Sequence, residues 1–291
     1  MFEFFKILFL PITKTLDFIT KYFKTIVFIT IVIFLTTGDE SKDSQVANVQ
    51  KIDLTGPILD VQKTLEEIEK ASSSKNIKGI LFNVNSPGGS VAPSVELAYA
   101  IKELRAKKPV VAYASGIMAS GSYYASIWAN KIVANPGSMV GSIGVIFQGA
   151  NIEELMQKIG IKTQTIKIGK YKEAGTFSRE WKDYEKAELE SVINDTYDMF
   201  ITDVANARNL DVKNHETYAN AHIFTARQAK EVGLVDEVAT LNYAQNELYK
   251  LANIDKPIWT KKDKMDEFLD KVMSEAVSNF SMSLVSGLKA Y

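Results

Sequence analysis

The stretch Tyr113–Asn130, YASGIMASGSYYASIWAN, sets Ser115, Ser120, Ser122 and Ser126 among small residues and aromatics. A serine hydroxyl becomes a useful nucleophile only when a neighbouring group accepts its proton. Ser120 has the best surroundings, because glycine follows it at a predicted passage from strand into helix. There the N–H of the next residue, Gly121, can complete an oxyanion hole. Ser115 falls at the end of the predicted strand, while Ser122 and Ser126 fall on the helix as packing or capping residues. A second glycine pair, Gly88 and Gly89 in NVNSPGGSV, also follows a predicted strand and precedes a predicted helix. Such glycines let the backbone approach a ligand and offer N–H groups to a developing oxyanion. No Gly-Lys-Ser/Thr follows, so the turn does not read as a phosphate-cradling loop.

The proton acceptor is harder to find. The two histidines, His215 and His222, lie in the polar segment NHETYANAH, about a hundred residues downstream of Ser120. A lysine can substitute if it is neutral, which asks burial to lower an ammonium from about 10.4 toward 7 to 8, at a cost of roughly 4 kcal/mol. IKIGKYKEAGTFSRE offers Lys167, Lys170 and Lys172. In extended chain Lys170 and Lys172 share a face, so spacing alone does not choose between them.

The elements that must position these groups alternate. Strands are predicted at Ala47–Leu54, Ile77–Asn85, Pro109–Ser115, Lys131–Asn135, Ser142–Gln148 and Thr163–Ile168. Helices are predicted at Ile58–Ala71, Val91–Ala106, Ala119–Ala129, Ile152–Ile159, Asp183–Arg208 and Leu241–Leu251, the fifth with Leu189, Val192, Ile193, Phe200 and Val204 facing inward. FTARQAKEVGLVDEVAT reads as helix, glycine cap and strand. The pattern predicts an α/β fold of layered elements with largely parallel sheets.

Composition narrows the function classes. At 291 residues and 46% hydrophobic, the chain can bury a full core, and a net charge of -1 gives no basic footprint for nucleic acid. The absence of cysteine removes a disulfide framework, thiolate metal sites and a thiol nucleophile, and two histidines leave little for a His-rich metal centre. No cofactor and no metal is expected. Thr25–Gly38, TIVFITIVIFLTTG, is an uncharged apolar run; extended back to Ile19, with Lys21 and Lys24 snorkelling, it reaches about 20 residues, enough to span a bilayer. It lacks an Ala-x-Ala-like cleavage site, so an uncleaved transmembrane helix is expected, after an interfacial segment. Lysines precede the run and acids follow it, which places the N-terminus in the cytoplasm and the rest of the chain outside it. The expected organisation is an anchor and linker over 1–45, a catalytic domain over 46–256, and a C-terminal amphipathic helix and tail over 257–291.

Five motifs, NSPGGSV, MASGSYYAS, NPGSMVGSIGVI, GKYKEAGTFSRE and TARQAKEVGLVDEV, occur in this order. Together they resemble the signal peptide peptidase A family of membrane-bound bacterial serine proteases, over about Gln50–Thr240. The resemblance implies a Clp protease/crotonase-like fold and a Ser-Lys dyad, with Ser120 as nucleophile, Lys172 as general base and Ser142 orienting the lysine amine. It assigns the oxyanion donors to Gly121 and the PGG turn, with Gly89 preferred to Gly88. Two positions depart from the family pattern: Ser122 stands where a second glycine is frequent, and Asn85 where aspartate is frequent. The length matches the short form of the family, which implies a homo-oligomer, an octamer with Ser120 of one subunit meeting Lys172 of its neighbour. The expected partners are peptide substrates (released signal peptides and other short unfolded polypeptides) and inner-membrane lipid through the N-terminal helix. Three competing readings are a Clp-type Ser-His-Asp protease, a crotonase-like acyl-CoA enzyme and an inactive membrane scaffold.

Overall fold

In a computed structural model, the residues described are 46–261, together with 18, 20–30 and 32. The latter group is helical and exposed, and no helix among the described residues is long and apolar enough to cross a membrane. The rest of the expected anchor, the interfacial segment before it and the amphipathic helix expected beyond Pro257 lie outside the described residues.

From Val46 onward the chain forms a unit of its own. Its strands are β1 (Val49–Thr55), β2 (Gly79–Ser86), β3 (Val110–Ala119), β4 (Lys131–Ala134), β5 (Met139–Gly141), β6 (Ile223–Thr225) and β7 (Glu237–Val238). Its helices are α1 (Gln62–Ser73), α2 (Val91–Lys107), α3 (Gly121–Ser126), α4 (Glu153–Lys158), α5 (Asp183–Arg208), α6 (Ala226–Glu231) and α7 (Leu241–Leu251), with a 3-10 turn at Val212–Thr217. The sheet runs β1-β2-β3-β4-β7 with every neighbour parallel, while β5 pairs with β3 and the antiparallel β6 pairs with β5. The α/β layering and largely parallel sheet agree with the expectation.

Side-chain alternation divides each central strand between two cores. Ile80, Phe82 and Val84 of β2, Ala112 and Ala114 of β3 and Ile132 of β4 join Leu97, Ile101 and Leu104 of α2 on one face. Leu81, Val111, Tyr113 and Val133 point to the other, where Ala244 and Leu248 of α7 cover them. Burial on both sides explains why β2 reads as a nearly unbroken apolar run.

Several expected elements differ. The first helix starts at Gln62 rather than Ile58, because the Ile58 N–H donates to Gly88 O and its carbonyl accepts from Ser90 N. The third stops at Ser126 rather than Ala129, since Asn130 must turn down to bond Val110 through both its N–H and its Oδ1. No strand forms over Ser142–Gln148; the strand in that region is β5, one step earlier. No strand forms over Thr163–Ile168 either, and Ile166 and Ile168 are 103% and 96% exposed. In α5, whose bounds match the expectation, Phe200 and Val204 are buried but Val192 is 58% exposed, so only the C-terminal half docks on the core.

Candidate active site

Strand β3 forks. Its lower half, Val111–Ala114, pairs with β4, and its upper half, Ile117–Ala119, pairs with β5. Between these halves the β2–β3 register jumps, from Val84↔Ala114 to Ser86↔Met118. The Asn85 side chain fills the bulge, accepting the Ile117 N–H at 3.0 Å. The fork carries β3 out to Ala119 and ends in a sharp turn, where Ser120 adopts φ 52° and ψ -125° ahead of α3. A non-glycine residue with such φ is strained by about 1–3 kcal/mol and persists only where its surroundings hold it. Here the Ser120 N–H donates to Gly141 O at 2.8 Å, and its carbonyl accepts from Tyr124 N at 3.0 Å.

The Pro87–Gly89 turn packs against this elbow. Gly88 has φ +91°, and a Cβ there would lie 2.6 Å from the Gly121 nitrogen, so only glycine fits. Its N–H donates to Ser86 Oγ at 3.2 Å. The N–H groups of Gly89 and Gly121 have no partner among the described residues, nor do the hydroxyls of Ser120 and Ser142. A Cβ on Gly121 would sit 3.4 Å from the Gly89 nitrogen, which places these two donors side by side.

Ser120, Gly88, Gly89, Gly121 and Ser142 open on one cavity of about 380 Å³, walled by Val91, Val95, Tyr124, Val145, Ile146, Met199 and Phe200. Burial and a hydrogen bond to Asp203 push the Tyr124 phenol well above its usual range, so it stays neutral. Among the described residues, Tyr124 is the only titratable side chain in the lining; no lysine, histidine or carboxylate joins it.

Ser142 is a second strained serine, at φ 52°, and two further left-handed residues, Asn220 and Ala221, face it. Ser142 N donates to His222 O at 2.7 Å and Ala221 N donates to Ile143 O at 2.8 Å, continuing the β5–β6 pairing past its end. The Tyr197 hydroxyl accepts the Asn220 N–H at 3.0 Å and meets His215 Nδ1 at 3.1 Å. The His222 ring rests beside Phe224 instead.

The structure separates the three candidate lysines. Lys167 pairs with Glu173 at 2.6 Å, and Lys170 lies over the rings of Tyr171 and Tyr184. The exposed Lys172 amine has no partner among the described residues. Arg179 organises the segment, bonding Glu173 at 3.1 Å and gripping the buried Glu185 with two bonds of 2.8 Å. Lys167 and Arg179 pull the Glu173 carboxyl down to about 2; Arg179 and the Lys182 N–H do the same for Glu185. The acid beside Lys172 is thus committed elsewhere.

The comparisons decide the family. The model of peptidase family S49 matches residues 102–255. The chain belongs to peptidase family S49. A Methanocaldococcus jannaschii protein carrying a protease name is 45% identical over 66% of this chain and 61% of its own length. A Synechocystis protein, likewise named for a protease, is 37% identical over 74% of this chain and 78% of its own. An Enterococcus faecium protein named for a signal peptide peptidase is 33% identical over 65% of this chain and 55% of its own. The S49 match agrees with the resemblance to signal peptide peptidase A. Ser86 and Tyr197 leave no local pattern along the chain, because their contacts join distant segments.

Proposed function

We propose that the chain is a membrane-anchored serine endopeptidase that degrades released signal peptides and other short unfolded polypeptides. Ser120 attacks the scissile carbonyl, and Lys172 accepts its proton and then passes it to the leaving amine, leaving an acyl-enzyme that water hydrolyses. The Gly89 and Gly121 N–H groups receive the oxyanion. The reading rests on one observation: a strained serine and two N–H donors, unpaired among the described residues, face an apolar cavity whose lining among those residues holds no base.

The base must then come from outside that lining. Lys172 is the candidate with an unengaged amine, on a segment whose apolar side chains Ile166 and Ile168 are turned to solvent. A ring of subunits, an octamer, would bury those side chains, bring Lys172 beside the neighbour's Ser120 and Ser142, and remove its amine from water. That removal is what a neutral lysine requires. The N-terminal apolar run would hold this assembly on the outer side of the cytoplasmic membrane, and the enclosed cavities would exclude folded proteins.

The test uses the full chain in detergent with a fluorogenic, leucine-rich peptide. Ser120→Ala and Lys172→Ala should each be inactive while keeping the wild-type mass. Mixing the two after dissociation and reassembly should restore part of the turnover, because some sites then combine an intact serine with an intact lysine. Absence of recovery in well-formed mixed assemblies would reject the shared dyad; full activity of Ser120→Ala would reject the serine chemistry altogether.

A further inference from the structure

We infer that Ser122 is a positioning residue that sets the spacing of the two oxyanion donors, an inference that rests on the proposed Ser120 chemistry. Ser122 has 0% exposure and does not line the cavity, so it touches no substrate. Its hydroxyl is nevertheless fully used. Oγ accepts the Ala119 N–H at 2.9 Å, and its own proton faces two carbonyls, Ser86 O at 2.6 Å and Ala119 O at 2.9 Å. One hydroxyl has one proton to donate, and the shorter contact identifies Ser86 O as the main acceptor.

Those contacts fall where the sheet cannot hold itself together. Above the bulge at Asn85 only one register pair, Ser86↔Met118, joins β2 to β3. Ala119 is the last residue before the nucleophile, and Ser86 is the last before the Pro87–Gly89 turn. Ser122 therefore links the two chains that lead into the two halves of the oxyanion site. From Ser86 the connection continues: its Oγ takes the Gly88 N–H at 3.2 Å, which leaves Gly89 as the turn's unpaired donor. Gly121, the other donor, is the residue before Ser122.

A glycine at position 122 would leave the turn and the elbow joined only by packing and by the single Ser86↔Met118 pair. The serine adds a hydrogen-bonded tie, which compensates for the broken ladder. Because the tie acts on donors that bind the oxyanion rather than the ground-state carbonyl, its loss should appear in kcat and leave KM alone.

The experiment compares full-chain wild type, Ser122→Ala, Ser86→Ala and Ser120→Ala. It measures kcat and KM on the fluorogenic peptide, affinity for a leucine-terminated peptide boronate, and melting temperature with assembly mass. The expected result is that Ser122→Ala lowers kcat by about 10–100-fold, with KM within about twofold and boronate affinity falling in parallel. Ser86→Ala, which frees the Gly88 N–H but keeps Ser86 O, should show the same split to a smaller degree. It carries the test if Ser122→Ala does not fold. Wild-type kcat in a folded variant, or a loss accounted for by reduced melting temperature or assembly, would overturn the inference while leaving the serine chemistry intact. Turnover by Ser120→Ala would instead bring down the serine reading and this inference with it.

Discussion

The cavity around Ser120 and the segment that carries Lys172 are built by opposite means. The first is made from the ends of buried strands. Ala119, Gly121 and Ser122 are buried; Ser120, Ser142 and Ala221 are held at positive φ by main-chain bonds from neighbouring strands and turns, and Asn220 by the Tyr197 hydroxyl. The second, residues 161–182, has no helix or strand and is stitched by charge, through Arg179, Glu173, Glu185 and Lys167. Its apolar side chains Ile166 and Ile168 face outward. A core can impose strain and donor spacing, whereas an exposed segment keeps its shape through a network of ion pairs. On the proposed reading, one subunit would preorganise the nucleophile and oxyanion donors and offer the base on its surface.

The strongest test of that division is chemical. Ser120→Ala and Lys172→Ala should each reduce turnover by at least about 1,000-fold. Lys170→Ala should stay within about threefold of wild type, because its ammonium already rests on Tyr171 and Tyr184. Near-normal turnover in Lys172→Ala would move the base to another residue.

On the rigid side, Gly88→Ala should cost about 2–4 kcal/mol in urea unfolding, since it adds left-handed strain and a Cβ 2.6 Å from the Gly121 nitrogen. A loss below about 0.5 kcal/mol would mean that the elbow yields more readily than its packing indicates.

On the charged side, pH provides the probe. Glu173 and Glu185 have carboxyls lowered from 4.5 to about 2, so the stability they contribute is complete above 4.5 and is lost as pH falls toward 2. Arg179→Ala should shift the acid transition followed by tryptophan fluorescence to higher pH, and should speed proteolysis within residues 161–182. An unchanged acid transition would show that these carboxylates do not hold the segment.

The smallest effect is expected at Tyr197→Phe, which removes the acceptor for the Asn220 N–H. A partner-deletion of this kind at an exposed turn should cost about 0.5–1.5 kcal/mol with kcat within about threefold. A much larger fall in kcat would place Tyr197 among the groups that control Ser142.

Much of the scaffold is legible along the chain, for local reasons. Asp183–Arg208 and Leu241–Leu251 form helices with the expected bounds because long helices carry their own hydrogen bonds. Serine-glycine after an apolar strand, and a double glycine after another, point to the elbow and the turn that the structure brings together. Thr163–Ile168 misled for the complementary reason: its alternation is real, but a strand needs a partner edge, and none is present among the described residues. Val192 misled likewise, since a helical period marks a face without saying how far the core extends beneath it.

By itself the sequence determined the α/β alternation, the helix lengths, the glycines that permit close approach, and a short list of serines and lysines. Each of these follows from local backbone preference or from the period of burial. Only the tertiary structure decided that β3 forks, that Gly88 gives its N–H to Ser86 while Gly89 keeps its own unpaired among the described residues, and that, of the three candidate lysines, Lys172 is the one with no partner among them. It likewise turned Ser122 from a packing residue into a tie between two strand ends. Hydrogen-bond partnership is a property of groups that meet in space, and residues thirty-six positions apart, such as Ser86 and Ser122, meet only once the sheet has formed.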